Sequence, residues 1–160
     1  MKKLKHILPA AVLLLTIACT SNDGDQQKAS LVFGHFYGEC MGEGCVEIFR
    51  LDNQLLFEDV RDQYPAYTNP YEGDFSLSQS RYYHRVNDLW DIVPEKLYDE
   101  SDTIIGQPDA GDWGGIYLAV SQGTVDRYWL IDQKKSNVPD YLHELIDSVN
   151  AKIAFINQNQ

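Results

Sequence analysis

The stretch Ile116–Asp132 constrains the fold most. It reads IYLAV, then SQGT, then VDRYWLID: two runs of β-forming residues joined by a four-residue connection that holds Gly123. Runs this close in sequence pair as an antiparallel hairpin. A second pair lies upstream. In Cys45–Leu51 (CVEIFRL), Val46, Ile48 and Arg50 fall on one side and Cys45, Glu47, Phe49 and Leu51 on the other. The turn DNQ then leads into Leu55–Val60 (LLFEDV), which makes this a hairpin too. Ser30–Tyr37 (SLVFGHFY) reads as a strand buried on both faces.

Between and after the hairpins the apolar period changes from two to about 3.6. Tyr83, Val86, Leu89, Trp90 and Val93 predict one amphipathic helix that starts after Ser78 and Ser80 and stops at Pro94, with Leu97 extending the packing. Pro139, followed by Leu142, Leu145, Ile146, Val149, Ile153 and Ile156, predicts a second helix with one buried stripe. Arg61–Asp74 (RDQYPAYTNPYEGD), broken by Pro65, Pro70 and Gly73, reads as an aromatic loop, and Thr103–Ile105 as a short apolar run before the loop GQPDAGDWGG. The order β, hairpin, loop, α, hairpin, α lacks strict βαβ alternation. It predicts an α+β fold, an antiparallel sheet of about five strands with two amphipathic helices on one face.

At 160 residues the chain has room for one domain, and ten Tyr, six Phe and three Trp in a 44% hydrophobic chain supply its core. A formal charge of −11 argues against nucleic acid as a partner. The first residues form a separate unit. Lys2, Lys3 and Lys5 precede an apolar run, Ile7–Ala18, which has the length of an export signal and is too short for a permanent membrane span. The run ends LLLTIAC and resembles the lipobox of bacterial lipoproteins, with Thr16 where Leu is usual and Leu15 one place further out. That resemblance implies cleavage after Ala18, diacylation of Cys19 and anchoring at a membrane through lipid. The expected organisation is a signal peptide over 1–18, the lipidated cysteine and a flexible acidic tether over 19–29, and a single domain over 30–160.

The acidic stretch after Cys19 resembles the surface-export signals of Bacteroidota lipoproteins, although a solvated linker has the same composition. Loss of the signal leaves ten cations against 24 carboxylates, a net −14. Such a field favours cationic partners, and it also belongs to any well-solvated acidic surface.

Three strings invite chemistry. In GHFYGECMGEGCVEIF, Cys40 and Cys45 are suited to a disulfide outside the cytosol, across a loop whose glycines allow the close approach. The same cysteines with His35, and His84 or His143, are a metal-site alternative, and thiol–disulfide catalysis a remoter one because Cys45 opens a strand and not a helix. In GQPDAGDWGGIYL, Asp109 and Asp112 offer oxygen ligands for calcium, or else Pro108 and the glycines shape a turn with Trp113 packed over the core. Tyr64, Tyr67 and Tyr71 in one loop and Trp113 in another offer rings for a sugar face or a protein partner, and Tyr67, Tyr71 and Trp113 are the candidate binding residues. GxSxG, HExxH and a Gly-rich GK[ST] loop are absent from the sequence, so no catalytic residue, resident metal or cofactor is assigned.

With the lipobox, GECMGEGCVEIFRL, PDAGDWGGIYL and YWLIDQKKSNVPDYL taken together, the chain from about Leu31 to Ile156 resembles a family of small, uncharacterised Bacteroidota lipoproteins. The resemblance implies a location and a fold, and no reaction. The expectation is a noncatalytic lipoprotein of the outer membrane, facing the periplasm or the cell surface, that binds an envelope protein or glycan. The alternatives are an inhibitor or immunity lipoprotein against a cationic toxin or wall-degrading enzyme, and a metal-binding protein built on Cys40, Cys45 and His35.

Overall fold

A computed structural model describes residues 29–78 and 80–159. The predicted signal peptide, Cys19 and the tether through residue 28 lie outside the described residues. Among the described residues no helix is long and apolar enough to cross a membrane.

The fold is α+β, built on one seven-stranded sheet. In chain order the strands are β1 (Ser30–Phe36), β2 (Val46–Asp52), β3 (Leu55–Asp59), β4 (Phe75–Leu77), β5 (Ile104–Ile105), β6 (Gly115–Gln122) and β7 (Val125–Asp132). Their order across the sheet is β4-β3-β2-β1-β6-β7-β5. Every pairing is antiparallel except β5 with β7, which is parallel, so the sheet is mixed and larger than the five antiparallel strands expected. The two additions are short edge strands. β4 follows the aromatic loop, and β5 is the Thr103–Ile105 run, laid parallel beside Leu130 and Ile131. Segments of two or three residues carry too little periodicity to register as strands, and only the neighbouring strand recruits them.

Both hairpins close with two-residue turns. Asn53 and Gln54 both have positive φ, 48° and 64°, the backbone that matches the twist of the flanking strands. In the other hairpin Gln122 pairs with Val125, so the connection is shorter than the four residues expected, and Gly123 takes φ +61° at its first position. Gly34 serves a different need. A Cβ there would lie 2.2 Å from the Glu47 carbonyl oxygen and 2.7 Å from Ile48 Cγ1, so β1 and β2 can approach only over a glycine.

The helices cover one face. The predicted Ser80–Val93 helix is broken into α1 (Ser80–Val86) and α2 (Leu89–Ile92). Asn87 and Asp88, both weak helix formers, sit at the break, and Lys152 consolidates it by donating to the Arg85 carbonyl (2.8 Å) and pairing with Asp88 (2.7 Å). The last helix, α3 (His143–Asn157), follows a 3-10 turn at Asp140–Leu142 and buries the stripe Leu145, Ile146, Val149, Ile153 and Ile156. Against these helices the sheet presents Leu31, Phe33, Phe49, Leu51, Leu56, Ile116, Leu118, Val120, Trp129 and Ile131, all essentially inaccessible to solvent.

The opposite face is also buried, and the cover is not helical. Phe36, Val46, Ile48, Tyr117 and Leu130 form a second core, packed by Tyr71 and Phe75 at the end of the aromatic loop. The alternation in β2 thus feeds two cores: Val46 and Ile48 enter this one, while Phe49 and Leu51 enter the helical one. Gly34→Ala is expected to destabilise the domain by about 1–3 kcal/mol through forced separation of β1 and β2, read as a lower urea midpoint with unchanged slope. The same substitution at Gly44, where a Cβ meets nothing within 4 Å, is expected to leave the midpoint almost unmoved.

Candidate functional site

The pairing register sends three loops to one end of the sheet. Phe36, the last residue of β1, faces Val46 and Gly115, the first residues of β2 and β6; Asp59 at the end of β3 faces Phe75. Residues 37–45, 60–74 and 106–114 therefore emerge together. The two hairpin turns and the entry of the chain at Ser30 lie at the other end, about 20 Å away by the rise of a seven-residue strand.

Asp109 ties the three loops together. Its Oδ2 accepts from the Gly38 N–H (2.7 Å) in the first loop and from the Tyr64 hydroxyl (2.9 Å) in the second, while its Oδ1 accepts from Gly114 N–H (3.1 Å) in its own. Tyr67 adds a bond to the Pro108 carbonyl (2.8 Å). Asp109 and Asp112 both have φ of 58°, a left-handed conformation that short polar residues tolerate. GQPDAGDWGG is thus a shaped turn in which the Asp109 oxygens serve N–H and O–H donors. Trp113 is not the expected lid over the core: it stays 53% exposed, with the Lys134 ammonium 4.6 Å from its ring centre.

A second carboxylate anchors the aromatic loop from below. Asp59 is buried and accepts from the Tyr71 hydroxyl (2.5 Å) and from the backbone N–H groups of Asp62 (2.9 Å) and Asp74 (2.5 Å). Tyr71 N–H donates to the Tyr117 hydroxyl (2.9 Å), whose own pKa burial pushes up to about 12. Tyr71 is therefore half-buried and packed against the second core. Tyr67 is 36% exposed, and with Trp113 it is a more open ring than Tyr71. Tyr64, at 42%, joins them, its hydroxyl proton held by burial first and then by Tyr67 and Asp109.

Cys40 and Cys45 are joined in a disulfide, with Cα atoms 5.6 Å apart. Cys45 is buried in a 3-10 turn (Glu43–Cys45), and Met41 stands fully exposed at the loop tip. The bridge removes both thiolates from the Cys40, Cys45 and His35 donor set. His35 instead turns toward α3, its Nδ1 3.3 Å from the Asn150 amide oxygen, and burial lowers its pKa. The other two candidate histidines are also separate: His84 lies on α1, and His143 opens α3 with Nε2 against the Lys135 carbonyl (2.9 Å). Among the described residues no group of three or more His, Cys, Asp or Glu is arranged to hold a metal ion.

Two concavities flank the loop end. One of about 370 Å³ is lined by Arg61, Tyr64, Asn69, Tyr71 and Glu72 within the aromatic loop. The other, about 230 Å³, is walled by Glu43, Glu47, Glu58, Asp59 and Asp62 with Val60. Crowded carboxylates show in their titration. Glu47 is pushed up to about 7, chiefly by burial; the Asn157 amide donates to it and pulls the other way, and the charges of Glu58, Asp62 and Glu43 add to the rise. A larger groove of about 520 Å³ runs between α1, α2 and α3, but Lys152 there is already engaged with Asp88 and the Arg85 carbonyl.

No family model, no curated protein and no solved structure matches this chain.

Asp109→Ala is expected to accelerate hydrogen exchange at the Gly38 and Gly114 amides and to cost about 1–3 kcal/mol, by orphaning three donors at once. The folded pKa of Glu47 is raised, so its stabilising contribution is complete below its unfolded pKa and is lost as pH rises through about 7. Glu47→Gln should therefore gain on the parent between about pH 5 and 8, by about 1 kcal/mol after allowance for solvent screening of a half-buried group. Melting temperature against pH for the two proteins checks the sign.

Proposed function

We propose that this protein is a lipid-anchored envelope lipoprotein without catalytic activity, whose loop end binds another envelope component, protein or glycan. The observation that carries the reading is the placement of Tyr64, Tyr67 and Trp113. All three are exposed on loops that the Asp109 carboxylate and the Tyr67–Pro108 bond hold together. Exposed rings on a preorganised base bind at small entropic cost, because the loops are ordered before the ligand arrives.

The anchor reading rests on LLLTIAC and the polar tether after it. The described chain enters the sheet at Ser30, at the end opposite the rings. Two acyl chains suffice for stable retention.

Cys19→Ala is expected to move the protein from the membrane pellet to the soluble fraction, and the mass of the parent's N-terminal peptide to show a diacylglyceryl adduct on Cys19. The double substitution Tyr67→Ala with Trp113→Ala is expected to keep the melting temperature within a few degrees. It should abolish capture of the ligand from detergent extracts of the producing cell's envelope. Capture that survives the double substitution overturns the binding surface, and a soluble parent protein overturns the anchor.

A further inference from the structure

We infer that the loop end docks a basic protein surface, with Met41 and Trp113 as its apolar anchors. The inference rests on the binding reading above and names the partner class. Among the described residues the large apolar side chains left exposed are Met41, Val60, Tyr64, Tyr67, Leu77, Ile104 and Trp113, and five of these seven lie at this end. Met41 projects from the disulfide-closed loop with full exposure, and Cβ atoms built at its neighbours Gly42 and Gly44 meet nothing within 4 Å. The tip of the loop thus stands clear of its own domain.

Charge selects the partner. Residues 37–45, 60–74, 106–114 and 133–142, the last leaving β7 at Asp132 beside Gly115, carry eight carboxylates (Glu39, Glu43, Asp62, Glu72, Asp74, Asp109, Asp112 and Asp140) and three cations: Arg61, whose guanidinium donates to Gln63 (2.7 Å), Lys134 over the Trp113 ring, and Lys135, paired with Asp147 (2.6 Å). Anionic polymers and lipid headgroups are repelled by such a rim, whereas a surface of Lys and Arg is drawn to it and steered. An apolar centre inside a charged, solvated rim is the usual anatomy of a protein interface.

The hydrogen bonds speak against a glycan. Sugar recognition combines ring stacking with free polar groups that meet the hydroxyls. Here the Tyr64 and Tyr67 hydroxyls donate to Asp109 and to the Pro108 carbonyl, Asp109 is engaged by three donors, and Lys134 lies over the Trp113 ring. Apolar contact is what these rings have left to offer.

The test is photo-crosslinking of the full-length protein in the cells that make it, with benzoylphenylalanine placed at Met41 or, as a control at the opposite end, at Thr124. Both positions are exposed, and electrophoretic mobility without reductant verifies the disulfide. The expected result is one discrete protein adduct from Met41 and none from Thr124, the partner presenting a Lys- and Arg-rich face. Glu39→Lys with Glu43→Lys should lower the adduct yield about tenfold or more, and Trp113→Ala likewise, while Glu95→Lys on the helical side should not. A glycan adduct alone overturns the inference and leaves the binding reading standing. No adduct, equal adducts from the two ends, or indifference to charge reversal also overturns it.

Discussion

Four central strands, β2, β1, β6 and β7, are apolar on both faces, and everything else in the domain follows from the need to cover them. Leu31, Phe33, Leu118 and Trp129 point one way and Phe36, Ile48, Tyr117 and Leu130 the other. Two amphipathic helical units suffice for the first face, since a helix satisfies its own backbone. The second face is closed by a loop containing Pro65, Pro70 and Gly73, which cannot do so.

The loop cover therefore depends on borrowed acceptors. Asp59 takes two backbone N–H groups and one hydroxyl, Asp109 takes donors from three loops, and buried Asp132 accepts from Gln107 N–H, Lys134 N–H and the Asn137 amide. Carboxylates suit this work because each offers about four lone-pair sites. A consequence for function is that the bonds which make the loops compatible with a core also immobilise the rings at their surface. Tyr71 is drawn inward by Asp59 and Tyr117, whereas Tyr64 and Tyr67 are fixed by their hydroxyls and stay partly exposed.

Elements with a sustained period are legible in the sequence. The stripe from Leu142 to Ile156 is buried residue for residue, both hairpins form, and the two glycine-flanked cysteines pair. Elements whose existence depends on a neighbour are not. β4 and β5 are too short to show periodicity, and the break at Asn87 is stabilised by Lys152, 67 positions beyond the Arg85 carbonyl that it meets. Among the candidate rings, Tyr67 and Trp113 stay exposed and Tyr71 is half-buried, because the rings of one loop look alike in sequence until a buried acceptor claims one of them. Met41 does carry a signal in the sequence: a side chain between a bridged cysteine and a glycine, in so short a closed loop, has no route to the core.

The alternation of buried positions and the placement of turns belong to the sequence alone, since they follow from local period and backbone freedom. Tertiary contacts settle which side of the sheet receives helices and which receives a loop, which carboxylates become internal acceptors, and which aromatic rings are left to solvent. Those outcomes turn on residues far apart in the chain, such as Tyr64 and Asp109 at a separation of 45 and Gly38 and Asp109 at 71, whose partners meet only once the sheet has brought its loops to one end.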